Sequence, residues 1–208
     1  MQFQEIIETT GTCRFYRPDA VPDDVLRRVL DAARYAPTGG NRQPVRFVVV
    51  RDPERKRQLK ELYLPIWSWY VDNVYRAAGQ SLPGLLARAD HFAQHLDEVP
   101  VLLVVCAVEG DIMATDRHLG RMSVVGGASV YPAVQNVLLK ARDEGLGTAL
   151  TTLLCREEAS VKALLRIPDG LLTAAMVALG YPARPFPKRL ARRPLAEMVF
   201  AEEYGRPL

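Results

Sequence analysis

Between Pro100 and Val108 the chain reads Pro-Val-Leu-Leu-Val-Val-Cys-Ala-Val, without a charged residue. So apolar a segment reads as a strand central in a sheet, with Cys106 as a core residue. Shorter apolar runs at Phe47–Val50, Thr148–Leu153 and Leu172–Leu179 supply further strands. Helical periodicity is clearest after Pro22-Asp23, where Val25, Leu26, Val29, Leu30 and Ala33 form one stripe. Other helices are expected over Phe3–Glu8, from Asp52-Pro53 through Leu62, from Ser129 to Glu144 and from Glu157 to Leu165. The stretch Tyr63–Glu98 is helical in character but interrupted at Pro65, Gly79 and Pro83-Gly84, and it holds both tryptophans. Helices and strands mix without regular βαβ alternation, which favours α+β over a doubly wound fold. No G-x-G-x-x-G follows a strand, so a dinucleotide-binding Rossmann domain is not indicated.

Composition narrows the function classes. The 208 residues suit one domain, and 49% apolar content allows a full core. The 27 basic and 24 acidic residues leave a net charge of +3, too balanced for nucleic-acid binding, where a concentrated basic face is expected. Cys13, Cys106 and Cys155 lie far apart, giving neither a zinc pattern nor a disulfide framework. His91 and His95 stand four residues apart without a third ligand, so a metal site is not indicated. The N-terminus lacks a basic n-region and an apolar h-region, and no apolar run reaches the roughly 18 residues that span a bilayer. A cytoplasmic location is expected. From Pro182 onward the chain carries five prolines and the basic pairs Lys188-Arg189 and Arg192-Arg193, too extended for a core of its own.

Three segments are suited to holding a ligand. Thr10-Gly11-Thr12-Cys13-Arg14 combines two hydroxyls, a glycine and a guanidinium, a set able to hold an anion. In Pro37-Thr38-Gly39-Gly40-Asn41-Arg42-Gln43-Pro44, the glycines let the backbone pass close to something flat, and Asn41 offers both a donor and an acceptor. Gly145-Leu-Gly-Thr-Ala-Leu-Thr-Thr152 places the backbone of Thr152, Leu153 and Leu154 at a strand end. Taken singly, each is also what an ordinary loop or helix end contains. Catalytic nucleophile sets are absent, which points to redox chemistry carried by a cofactor.

In order and spacing these segments resemble the nitroreductase family along nearly the whole chain. Thr12-Cys-Arg-Phe-Tyr-Arg-Pro-Asp resembles the family's Ser-x-Arg-x-Phe segment, and Ala36-Pro-Thr-Gly-Gly-Asn-Arg-Gln-Pro-Val resembles its Ala-Pro-Ser-x-x-Asn-x-Gln-Pro-Trp motif. Gly126-Gly-Ala-Ser-Val-Tyr-Pro, Gly145-Leu-Gly-Thr, Ile167-Pro, Leu179-Gly-Tyr-Pro and Arg192-Arg-Pro-Leu-Ala-Glu complete the order. The resemblance implies an α+β fold with a central, mostly antiparallel sheet flanked by helices. It implies an intertwined homodimer of single-domain chains (residues 1–208), with residues 182–208 as an extended arm wrapping the partner and two FMN sites at the interface.

Carried over by position, Thr12, with Thr10 beside it, would contact the FMN phosphate or ribityl chain, and Arg14 the N1–C2 carbonyl edge. Asn41, with Gly39 and Gly40, would meet the pyrimidine or N5–O4 edge. The backbone at Thr152, Leu153 and Leu154 would face N5, and Arg192 and Arg193 would neutralise phosphate. Trp67, Trp69, Tyr70 and Tyr75, in a variable helical insertion over residues 63–98, are candidates for a lid, with core packing of a helix pair as the alternative. The implied reaction passes hydride from NAD(P)H through FMN to a nitroaromatic, quinone or enone in ping-pong fashion, Arg14 stabilising the reduced flavin. Alternatives are a non-catalytic flavin-binding or storage protein and a specialised flavin enzyme, a dehalogenase or flavin-fragmenting synthase. Two departures stand out: Thr10-Gly11 where the family commonly has arginine before the serine, and Val45 in place of the motif's tryptophan.

Overall fold

The computed structural model describes residues 1–75 and 83–208. Strands β1 (Val45–Val50), β2 (Val101–Val108), β3 (Gly147–Thr151) and β4 (Leu171–Gly180) form one antiparallel sheet in the order β1-β2-β4-β3. The apolar run is β2, paired on both sides and buried almost to its end. Successive side chains of a strand point to opposite faces. Leu102, Val104 and Cys106 therefore enter one core with Met176 and Ala178, while Val101, Leu103, Val105 and Ala107 enter the other with Val177 and Leu179. Leu102 and Leu103 are fully buried on opposite faces, each contributing about 1.5–3 kcal/mol by leaving water.

Helices cover both faces. Helix α1 (Phe3–Thr9) packs on α5 (Tyr131–Asp143), and α2 (Asp23–Asp31) also lies against α5; α2 and α5 close the second core. Helices α3 (Pro53–Tyr70), α4 (Pro83–Gln94) and α6 (Glu158–Leu165) close the first. Asp52 starts α3 by accepting a bond from the Arg55 N–H at 2.9 Å, with Pro53 in the first turn.

The helix differs from its sequence expectation at Pro65, which does not interrupt it: α3 runs for 18 residues. Pro65 and Glu61 both face solvent, whereas Tyr63, Ile66 and Trp67 are packed inside. The carbonyl that proline leaves without a partner thus sits on the wet side, where water serves it. A wide turn at Val71–Tyr75 follows, the expected break at Gly79 lies outside the described residues, and Pro83 opens α4. Strand β3 is shorter than expected. It ends at Thr151, and Leu153–Glu157 forms a short tight helix that turns Leu154 into the core.

Beyond β4 the chain is extended and returns along its own N-terminal segment. The Ala183 N–H donates to Phe15 O at 2.9 Å and the Leu190 N–H to Glu8 O at 2.8 Å. Among the described residues, no helix is long and apolar enough to cross a membrane.

Candidate functional site

A site forms where the N-terminal segment meets the start of β3, Thr12 pairing with Thr148. The Cys13 N–H donates to Thr148 O at 2.8 Å, and Ala183 ties Phe15 from the other side, so Arg14 is held between two backbone anchors. Gly147 makes this crossing possible, since a Cβ there would lie 2.6 Å from Cys13 Cβ. A cavity of about 440 Å³ opens beside the crossing, bounded by Thr12, Arg14 and Thr151–Leu153, with Tyr63, Trp67, Tyr70 and Phe92 as aromatic walls.

Arg14 is half-buried. Burial first, and then the nearby Arg88 charge, pull its pKa below the ordinary guanidinium value, yet a guanidinium stays charged at any physiological pH. Tyr63 Oη lies 3.3 Å from Thr151 Oγ1, and burial pushes the phenol's pKa up. Thr151 Oγ1 also accepts from the Leu153 N–H at 3.3 Å. Burial raises all three thiols, Cys106 to about 11, so none is a thiolate nucleophile near neutral pH. The cavity thus offers fixed cationic charge, hydroxyls and flat aromatic surface.

Of the residues expected from sequence, Thr12, Arg14, Thr152, Leu153, Trp67 and Tyr70 line this one cavity. Leu154 lies beneath it, its side chain in the core. Thr10 sits at the end of α1, where its hydroxyl donates to Ile6 O at 2.6 Å, so its proton is committed to the helix end. Gly39, Gly40 and Asn41 form a tight turn before β1, with Asn41 left-handed at φ 53° and its Oδ1 accepting from Gln43 Nε2 at 3.1 Å. Strands β1 and β3 are the two sheet edges, three strand spacings or about 14 Å apart. Asn41 and Arg14 of one chain therefore stand on opposite sides of the sheet. Arg192 and Arg193 are exposed, just beyond Leu190.

The four aromatic residues expected in a lid divide. Trp67 is only 8% exposed and its Nε1 donates to Asp90 Oδ1 at 2.9 Å; it is a fixed wall because α3 carries it into the core. Trp69 is 44% exposed, with the Arg156 guanidinium 3.8 Å over its ring. Tyr70 faces the cavity, and Tyr75 stands half-buried in the turn after α3.

Both motif departures have packing counterparts. A Cβ at Gly11 would lie 3.2 Å from Leu190 Cδ2 and from Pro187 Cγ, so the returning tail occupies the space that a larger residue would need. Val45 opens β1 and lines a separate groove of about 220 Å³ with Leu30, Phe47 and Ala133. Tyr63, Thr151 and Phe92 are cavity residues that motif reasoning did not single out. Two of them carried a signal: Thr151 adjoins Thr152, and Tyr63 precedes Trp67 and Tyr70 at helical spacing.

Comparison with known proteins bears on family and fold. The family model described as "Nitroreductase family" matches residues 7–181. NADH dehydrogenase of Thermus thermophilus is 33% identical over 184 residues, covering 82% of each chain. Iodotyrosine deiodinase 1 of Mus musculus is 27% identical over 186 residues, 88% of this chain and 63% of that protein. Oxidized iodotyrosine deiodinase, solved with FMN and 3-iodo-L-tyrosine, superposes with a TM-score of 0.75 at 24% identity, covering 97% of this chain and 99% of that one, a likeness of fold. On the extent of the family match and the Thermus relative, this chain belongs to the nitroreductase family.

Proposed function

We propose that the protein is an FMN-dependent oxidoreductase that moves reducing equivalents from NAD(P)H to an electron-poor acceptor, a nitroaromatic, quinone or enone, in two alternating half-reactions. The observation that carries this reading is the cavity in which Arg14, Thr12 and the end of β3 meet an aromatic wall. That donor set suits FMN: a fixed cation for an electron-rich carbonyl edge, hydroxyls for a polyol, and flat apolar surface for a ring system. FMN, when bound, supplies the redox chemistry, and the chain binds and orients it. Arg14 would hold the N1–C2 carbonyl edge, favouring negative charge there by a preorganised cation. Thr12 would hold the ribityl chain or phosphate, and the backbone at Thr152–Leu153 would face N5. Tyr63 and Trp67 exclude water from the floor, being buried themselves.

The reading includes a homodimer, cytoplasmic and built from one domain per chain. Because the Gly39–Asn41 turn lies across the sheet from Arg14, a second copy would bring its own turn to this cavity. The end of the tail supports an arm: Leu195, Met198, Tyr204 and Leu208 are all exposed apolar residues awaiting cover.

Purified protein is expected to show flavin absorption bands, release FMN on denaturation, and oxidise NAD(P)H with menadione or a nitrofuran. Colourless protein that cannot be reconstituted with FMN would remove the flavin reading. Flavin-loaded protein without turnover would instead leave a binding or storage role. The similarity to iodotyrosine deiodinase 1 favours reductive dehalogenation as a second reading, and iodide release from 3-iodotyrosine under the same conditions decides for it.

A further inference from the structure

Reducing a quinone takes protons as well as electrons. FMN, when bound, supplies the hydride, and the acceptor then needs a further proton at oxygen to become the quinol. The cavity is short of groups that could give it. Among the described residues no carboxyl, imidazole, thiol or amine lines it, and Arg14 does not release its proton. The Gly39–Asn41 turn that a second copy would bring holds no acid either. Two phenols remain, Tyr63 and Tyr70. Tyr63 is the one with a fixed hydroxyl. It is only 3% exposed, and its Oη lies 3.3 Å from Thr151 Oγ1, its hydrogen-bond partner among the described residues. Thr151 Oγ1 is itself held by the Leu153 N–H at 3.3 Å. Two hydroxyls carry two protons and only one can lie between them, so the pair has an O–H left to give. Burial holds the Tyr63 phenol above its ordinary pKa, while the Thr151 bond and the Arg14 charge act the other way. Tyr63 therefore keeps its proton near neutral pH, with a cation at hand to stabilise the phenolate.

We propose that Tyr63 is the general acid of the second half-reaction, its Oη–H protonating a quinone-class acceptor at oxygen as that acceptor is reduced; the assignment rests on the flavin reading above. The Oη–H bond breaks and an O–H bond forms at the quinone carbonyl oxygen. Both electrons arrive with the hydride and none comes from the tyrosine, which is left as phenolate. The phenolate regains a proton from solvent, with Thr151 Oγ1 placed to pass it on. The first half-reaction, in which NAD(P)H gives up its hydride, asks no proton of the chain. Loss of the phenol should therefore divide the two halves of the cycle.

The test uses the full chain, wild type and Tyr63→Phe, a change that keeps the ring and removes the hydroxyl. Anaerobic rapid mixing of the FMN-loaded proteins follows flavin absorbance through reduction by NAD(P)H and then reoxidation by menadione. Reoxidation is expected to slow about a hundredfold or more in Tyr63→Phe, while reduction changes far less and FMN affinity and melting temperature stay near wild type. Wild-type reoxidation is also expected to slow in deuterated water. Apart from turnover, absorbance titration of the flavin-free chains reads the Tyr63 phenol as the difference between the two proteins, expected above the ordinary tyrosine value. Equal reoxidation rates overturn the acid role, as do two half-reactions slowed alike together with weakened FMN binding, which would make Tyr63 a wall alone. A Tyr63 phenol already ionised near pH 7 overturns it too. Should Tyr63→Phe fail to fold, wild type decides: reoxidation unchanged in deuterated water overturns the proposal. Protein that binds no flavin would instead remove the FMN reading itself, a failure told apart by the missing flavin bands.

Discussion

Arg14 is where local chain geometry becomes chemistry. Two backbone bonds, at Cys13 and Phe15, hold it from both sides, and its guanidinium reaches the cavity with no carboxylate partner among the described residues. Arg14→Gln is expected to weaken FMN binding and lower kcat/KM about ten- to a hundredfold, the loss of one charge-assisted contact of roughly 1.5–3 kcal/mol; flavin titration and steady-state kinetics would show it. Gly147 acts one step further back. A methyl group there meets Cys13 Cβ at 2.6 Å and Sγ at 2.7 Å, and backbone on both sides leaves little room to yield. Gly147→Ala should destabilise the protein by about 1–3 kcal/mol and loosen Arg14 with it. Denaturant melts and the FMN dissociation constant would then change together, whereas a purely structural glycine would move only the melt.

The elements were set by different forces. Strand β2 follows from its own composition, since so apolar a run is stable only when covered on both faces. Helix α3 does not follow from its residues alone. It persists through Pro65 because Tyr63, Ile66 and Trp67 anchor the turns around it in the core, and packing outweighs the local preference. Pro65→Ala should therefore raise stability, by about 1–3 kcal/mol, as the missing N–H is restored on an exposed helix face. Chemical denaturation checks it, and an unchanged or lower midpoint would mean the backbone has already relaxed around the proline.

At the scale of the whole molecule, the two motifs that resemble flavin-binding segments most closely occupy opposite sheet edges of one chain. A dimer with shared sites predicts complementation between variants. Arg14→Ala and Asn41→Ala proteins, each impaired alone, should recover activity when mixed, refolded together and assayed, because one site of the mixed dimer then has both residues intact. Sites contained within a single chain would give no recovery. Sedimentation of the wild type should show a dimer, and removal of residues 191–208 should weaken it if the exposed apolar tail end is an interface.

The sequence by itself determined the strands, most helices, the family and the residues at the cavity rim, because apolar runs, proline caps and short motifs are local signals. Strand β2 and the pair Thr12–Arg14 could be read in this way. Tertiary structure decided what depended on distant partners. It buried Trp67 as a wall, drew the Thr10 hydroxyl onto the end of α1, and placed the returning tail against Gly11. It also set Asn41 across the sheet from Arg14, a separation that strand order creates and that no spacing along the chain encodes.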